Sequence, residues 1–222
     1  RMAEKRVEGE LPDLAVSDRP DPALALARYR AHATGYDATA RRSMPARLRT
    51  IAKLSLRPGD SVLDVGCGTG LSFAALLEGV GPAGRVVGVE LSPEMLALAR
   101  ERCEQAGWGN VTLIESAIET APLEGPFDAV LFHCAHDVLR SPEALDRIFA
   151  ATRAGTRVAA AGMKLGPWWA APLNPLVRRR ARPYMTTFEG LERPWSLLER
   201  RLSRFEWRSR NFGSGWIGWG RV

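Results

Sequence analysis

The chain has 222 residues, 45% hydrophobic and 25% charged, which fits one to two folded domains and excludes disordered or fibrous classes. The formal charge of +6 is unevenly spread: residues 1–150 carry 17 Lys/Arg against 21 Asp/Glu, and residues 151–222 carry 14 against 4. Two surfaces with different partners are therefore expected. Cys67, Cys103 and Cys134 form no CxxC pair and have no histidine at ligand spacing, which argues against a disulfide framework or a metal site and for a reducing cytosol. The charged first twenty residues lack the apolar core of an export signal. Val158–Leu173 is interrupted by Lys164, Gly166, Pro167 and Pro172, too often to span a bilayer as one helix.

Residues 1–20 read as a flexible arm, followed by one domain over 21–222 that opens with a helical cap (21–55). Helices are expected over Pro22–His32 and Pro45–Leu54, with each proline in a first turn. Ser61–Gly66 is an apolar run stopped by glycine, and helical spacing resumes at Leu71–Leu77. Arg85–Leu91 reads as the second strand, and Ser92-Pro93 as the cap and first residue of a helix to about Gln105. Strands follow at Val111–Ile114 and Phe127–Cys134, then a helix capped by Ser141, then a strand over Thr156–Met163. This alternation predicts a mostly parallel sheet with helices on both faces. Beyond Lys164 the chain is rich in Trp, Pro and Arg; Leu191–Leu202 looks helical, and Phe205–Phe212 with Trp216–Val222 looks like a closing hairpin.

The loop Gly66-Cys67-Gly68-Thr69-Gly70 sits between a strand and a helix, where glycines permit a tight turn and close approach of a nucleotide-like ligand. A dinucleotide fingerprint would place its third glycine at position 71, which is leucine, so a nicotinamide cofactor is disfavoured. Glu90 ends the second strand about twenty residues on, where a carboxylate can accept both hydroxyls of a ribose without a 2′-phosphate.

Val62-Leu-Asp-Val-Gly-Cys-Gly-Thr-Gly70, Val86-Val-Gly-Val-Glu-Leu-Ser92 and Pro93-Glu-Met-Leu96 resemble the class I S-adenosylmethionine-dependent methyltransferases. The resemblance covers about residues 45–165. Tyr29 and Tyr36-Asp37 resemble the N-terminal segment of the subgroup of ubiquinone, menaquinone and phosphatidylethanolamine N-methyltransferases. It implies a Rossmann-like three-layer α/β sandwich with a seven-stranded, mostly parallel sheet whose last strand is antiparallel. It also implies S-adenosyl-L-methionine as cofactor. The backbone of Gly66, Cys67, Gly68 and Gly70 would pass the methionine moiety, and Asp64 would face its amino group. Glu90 would hold the ribose and Leu91 would pack on the adenine. His133 would meet the ammonium through its backbone, and Tyr29 and Tyr36 would close over the sulfonium. Many relatives carry an aspartate where this sequence has Ala117, so the adenine would be held by backbone at Ala117 and Ile118.

Displacement at a sulfonium needs alignment and exclusion of water more than a catalytic triad. If a base is used, His136, with Asp137 beside it, is the candidate. The segment 165–190 is expected to cover the acceptor. There Trp168 and Trp169 offer apolar surface, and Arg178, Arg179, Arg180 and Arg182 suit a phosphate, a carboxylate or an anionic membrane. A small-molecule or lipid acceptor, methylated at N or O, fits both halves, and peripheral membrane contact is compatible with them. Nucleic acid is disfavoured because no binding module accompanies the arginines. A cofactor-binding protein without methyl transfer is the alternative, and the oligomeric state is left open.

Overall fold

Apolar runs rich in valine become the centre of the sheet. In the computed structural model, which describes residues 16–32 and 35–222, the strands are β1 (Ser61–Val65), β2 (Arg85–Glu90), β3 (Val111–Glu115), β4 (Phe127–His133), β5 (Thr152–Met163), β6 (Arg204–Arg210) and β7 (Gly215–Arg221). Their order across the sheet is β3-β2-β1-β4-β5-β7-β6. The first five are parallel, and β7 is antiparallel to both β5 and β6. The expected sheet, with its antiparallel last strand, is therefore present.

Side chains alternate across each strand, so one strand feeds two cores. Leu63 and Val65 pack in the cluster that contains Phe132, Leu145, Trp195 and Trp216. Val62 packs in the other, with Phe73, Leu76, Leu96 and Leu131. Those two cores make the three layers. β1 is buried along its whole length because it lies mid-sheet with both faces covered.

The helices are α1 (Pro22–His32), α2 (Tyr36–Ala40), α3 (Met44–Ala52), α4 (Phe73–Val80), α5 (Pro93–Ala106), α6 (His136–Leu139), α7 (Pro142–Ala150), α8 (Asn174–Ala181) and α9 (Ser196–Glu199). Both expected serine caps form: Ser92 Oγ accepts from the Met95 N–H at 3.3 Å, and Ser141 Oγ accepts from the Ala144 N–H at 3.1 Å.

The tail departs from expectation in two places. Only one turn, α9, forms within Leu191–Leu202, because Gly190 and Pro194 keep the preceding residues in turns. A helix, α8, forms inside the segment 165–190, for which the sequence suggests no helix, with Pro175 in its first turn. β5 also begins at Thr152 rather than Thr156, its register to β4 shifting between Phe127 and Ala129. No helix among the described residues is long and apolar enough to cross a membrane.

Candidate active site

The carboxyl ends of β1, β2, β3 and β4 open into a cleft, the usual ligand position in an open α/β sheet. After β1 the chain turns through Gly66, Gly68 and Gly70, all at positive φ. A Cβ at Gly70 would lie 2.6 Å from the Phe73 ring, so only glycine lets the loop fold onto the start of α4. The Cys67 N–H donates to the Val89 carbonyl at 3.0 Å, fastening the loop to β2. Cys67 itself is buried beneath the loop, and burial pushes its thiol well above the ordinary range.

Glu90 is the best-fixed carboxylate of the cleft. Oε2 accepts from the Gly68 N–H at 2.9 Å and Oε1 from the Ser92 N–H at 2.9 Å. Burial raises its pKa while these backbone donors oppose the shift. Two bonds lock the side chain at the strand end, and its remaining lone pairs suit a pair of hydroxyls.

Asp64 lies under the loop, 1% exposed, with Oδ2 unpartnered. Burial pushes its pKa up to about 6, with the Arg47 guanidinium and the Ser72 hydroxyl pulling it down. His133, at the end of the neighbouring strand, is also buried, and neither ring nitrogen has a hydrogen-bond partner. Burial, reinforced by Arg47, drives it down to about 3, so it is a neutral imidazole. Unsatisfied buried polar atoms are costly, at about 1–3 kcal/mol each, and ask for a polar ligand or water. A carboxylate and neutral acceptors beside a glycine loop suit an ammonium and a nucleoside, so these residues fit the expected cofactor.

The roof comes from two distant segments. The Ser17 N–H donates to the Thr186 carbonyl at 2.9 Å, and the Asp21 N–H donates to Thr186 Oγ1 at 2.9 Å. Arg28 Nη1 donates to the Met185 carbonyl, and the Tyr29 hydroxyl donates to the Tyr184 carbonyl at 3.3 Å. Of the arm expected over 1–20, residues 16–20 are thus tied over the cleft, while residues 1–15 lie outside the described residues. α2 is fastened to the glycine loop: Asp37 accepts from Thr69 Oγ1 at 2.5 Å and from Arg102 Nη2. The sequence offers Asp37 only as the neighbour of Tyr36. Its partners lie 32 and 65 residues away, a separation no local motif encodes.

Tyr29, Gly66, Gly68, Glu90, Leu91, Ala117, Ile118, His133 and His136 all line the cleft. Asp64, Cys67 and Gly70 are not among its lining residues. The Tyr36 side chain lies outside the described residues. His136 is buried, without hydrogen-bond geometry at either ring nitrogen, and burial with Arg140 takes it down to about 4 despite the Glu189 backbone carbonyl. It is neutral, available and only weakly basic. Asp137 is not an available base: Thr186 donates to Oδ2 through its N–H at 2.9 Å and its hydroxyl at 2.6 Å. Glu119 also lines the cleft, its Oε1 accepting from Ser141 Oγ at 2.7 Å. It stands two residues beyond Ala117 and was not marked by any motif.

Trp168 and Trp169 require a correction. They are 88% and 58% exposed and lie outside the cleft, Trp169 lining a separate recess with Trp207 and Phe212. The residue of 165–190 that lines the cleft is Tyr184. The short helix α8 carries the chain between the two places, which spacing along the sequence does not reveal.

Residues 62–155 match a family described as a methyltransferase domain. A protein-L-isoaspartate O-methyltransferase of Ignicoccus hospitalis is 42% identical over 91 residues, 40% of this chain and 42% of that protein. A demethylmenaquinone methyltransferase of Anoxybacillus flavithermus is 34% identical over 91 residues, 40% of this chain and 38% of that protein. The chain thus spans less than half the length of these curated relatives. Among solved structures, a SAM-dependent methyltransferase from Aquifex aeolicus shares the fold with a TM-score of 0.65 at 20% identity, covering 91% of this chain and 98% of that one. Over residues 62–155 the chain is thus similar to a methyltransferase domain, and its sheet order and glycine loop agree with the fold it shares with that solved structure. S-adenosylmethionine is the cofactor that this similarity implies.

Proposed function

We propose that the protein transfers a methyl group from S-adenosylmethionine to N or O of a small hydrophobic or amphipathic acceptor. The observation that carries this is Glu90, held between the Gly68 and Ser92 amides at the mouth of a glycine loop, above the unpartnered Asp64 Oδ2. The cofactor would supply a methyl already attached to a good leaving group. Glu90 would grip the ribose, Asp64 would answer the ammonium, and Leu91 with the Ala117–Ile118 backbone would hold the base. The roof of residues 17–29 and 184–187 would exclude water and confine the acceptor. His136, neutral and unpartnered, would take a proton from the attacking atom or orient it. Ala25, Tyr29, Val138 and Tyr184 give the cleft an apolar wall, which favours an acceptor with hydrophobic parts.

Relatives named as protein-L-isoaspartate and demethylmenaquinone methyltransferases leave both protein and small-molecule acceptors in view, and the apolar wall of the cleft favours the second. Calorimetry with S-adenosylmethionine, followed by incubation with a methyl-labelled cofactor and cell extract, tests the proposal. Binding and a labelled low-molecular-weight product are expected. Binding without any labelled product would favour the non-catalytic reading, which the engagement of Asp137 by Thr186 also supports.

A further inference from the structure

We propose that the face formed by residues 167–182 and the β6–β7 turn docks on an anionic phospholipid bilayer. The proposal is independent of the reading of the cleft. Its first support is apolar exposure: Trp168 is 88% exposed and Phe212 90%, and Trp169, Leu173, Leu176 and Trp207 are exposed as well. Large apolar side chains scattered singly need no explanation, but a cluster does.

The two segments form one surface. The Lys164 N–H donates to the Ser214 carbonyl at 3.0 Å, and a Cβ at Gly213 would come within 2.6 Å of Pro167 Cδ. Trp169, Trp207 and Phe212 share a recess with Lys164 and Arg210. Phe212 sits at φ 52, ψ 33, a left-handed backbone that bulky residues rarely adopt. That strain holds an aromatic ring out in solvent, where it gains nothing from the fold.

Charge selects the partner. The sequence has no Asp or Glu from 147 to 188. Arg178, Arg179 and Arg180 are exposed on α8. Neither they nor Arg182, Arg208 and Arg210 have a carboxylate at ion-pair distance among the described residues; the ion pairs there involve other arginines. Tryptophan and phenylalanine rimmed by unpaired arginine match the interfacial zone of a negatively charged leaflet. A second copy would bring the same basic rim against itself, since a two-fold contact repeats one patch on both sides.

The test is co-sedimentation of the full chain with vesicles of phosphatidylcholine containing about 30% phosphatidylglycerol, against phosphatidylcholine alone, at low and high salt. The wild type should pellet with the anionic vesicles at low salt and be released by high salt. Trp168→Ser with Phe212→Ser should lower partitioning about tenfold or more, from the loss of two buried aromatic surfaces. Arg178→Glu with Arg180→Glu should lower it at least about 25-fold, at about fivefold per arginine removed. Both variants change exposed side chains and should melt like the wild type. A wild type that stays in the supernatant at low salt overturns the proposal. So does binding unaffected by both variants, or a dimer in sedimentation velocity that the Trp168/Phe212 variant dissociates. Tighter binding to a random RNA oligonucleotide than to the vesicles overturns it as well. Calorimetry with S-adenosylmethionine on the same preparations separates failure here from failure of the cleft proposal.

Discussion

Residues 61–135 and residues 164–222 share one sheet, but they place their important side chains by different means. In the first region the placement is local. Glu90 is held by Ser92, two residues on, and by Gly68 on the adjoining loop. Strand ends, glycines and caps suffice to fix such a site. In the second region the placement is remote. Thr186 meets Asp137 across 49 residues and Ser17 across 169. The glycine-loop side of the cleft is therefore written in motifs, and its roof in tertiary contacts.

The largest expected effect attacks the remote region. Trp195→Ala removes a ring that is 1% exposed and joins β6 and β7 to the main core, and should cost about 3–5 kcal/mol of stability in urea unfolding. A loss below about 1 kcal/mol would mean that the tail contributes little to the fold. Next comes the local region. Glu90→Ala should weaken S-adenosylmethionine binding by about 2–3 kcal/mol, roughly 30- to 150-fold in calorimetry, as charged hydrogen bonds to both hydroxyls are lost. Unchanged affinity would sink the ribose assignment.

Asp64 offers a smaller effect with a pH signature. Its folded pKa of about 6 exceeds the ordinary 3.8, so its contribution to stability is present below 3.8 and is lost as pH rises through 6. A bound ammonium prefers the ionised form, so cofactor affinity should rise with pH through about 6. Asp64→Asn should lower affinity about tenfold and flatten that rise, since one pKa unit corresponds to about 1.4 kcal/mol. An affinity already independent of pH in the wild type would remove Asp64 from the ammonium site. His136 titrates with the opposite sign. Its folded pKa of about 4 lies below the ordinary 6.5, so stability present above 6.5 is lost as pH falls toward 4. His136→Gln should make the acid limb of the urea stability profile shallower by about 1.4 kcal/mol per pH unit at most. An unchanged slope would mean that the ring is solvated.

How much was legible follows the same division. The strands, their parallel order, the Ser92 and Ser141 caps and the Gly66–Gly70 loop all rest on short-range pattern, and each is present. The apolar spacing of Leu191–Leu202 suggests a helix but only the turn at Ser196–Glu199 forms, because that spacing arises from packing under the sheet rather than from one helical face; Leu191 and Leu198 belong to different clusters. Asp37 and Thr186 carry no local signal, since their partners approach only after the sheet has formed. The tail tryptophans carry no sequence signal of where they go, and the fold sorts them: Trp195 and Trp216 go to the core, and Trp168 and Trp169 go to the surface.

That sorting yields the smallest and most discriminating expectation. Trp169→Ser should leave S-adenosylmethionine affinity within about twofold of wild type, below about 0.4 kcal/mol, because Trp169 lines the recess of Lys164 and Phe212 and not the cleft. The same variant should leave the melting temperature unchanged within error, the ring being 58% exposed and surface substitutions usually costing about 0.5 kcal/mol or less. A tenfold loss of cofactor binding would place the ring at the cleft after all, through a closure that brings residues 167–173 over Tyr184. An unchanged affinity together with weakened vesicle binding would show that the two ends of the segment 165–190 serve separate surfaces, one covering the acceptor and one facing a membrane.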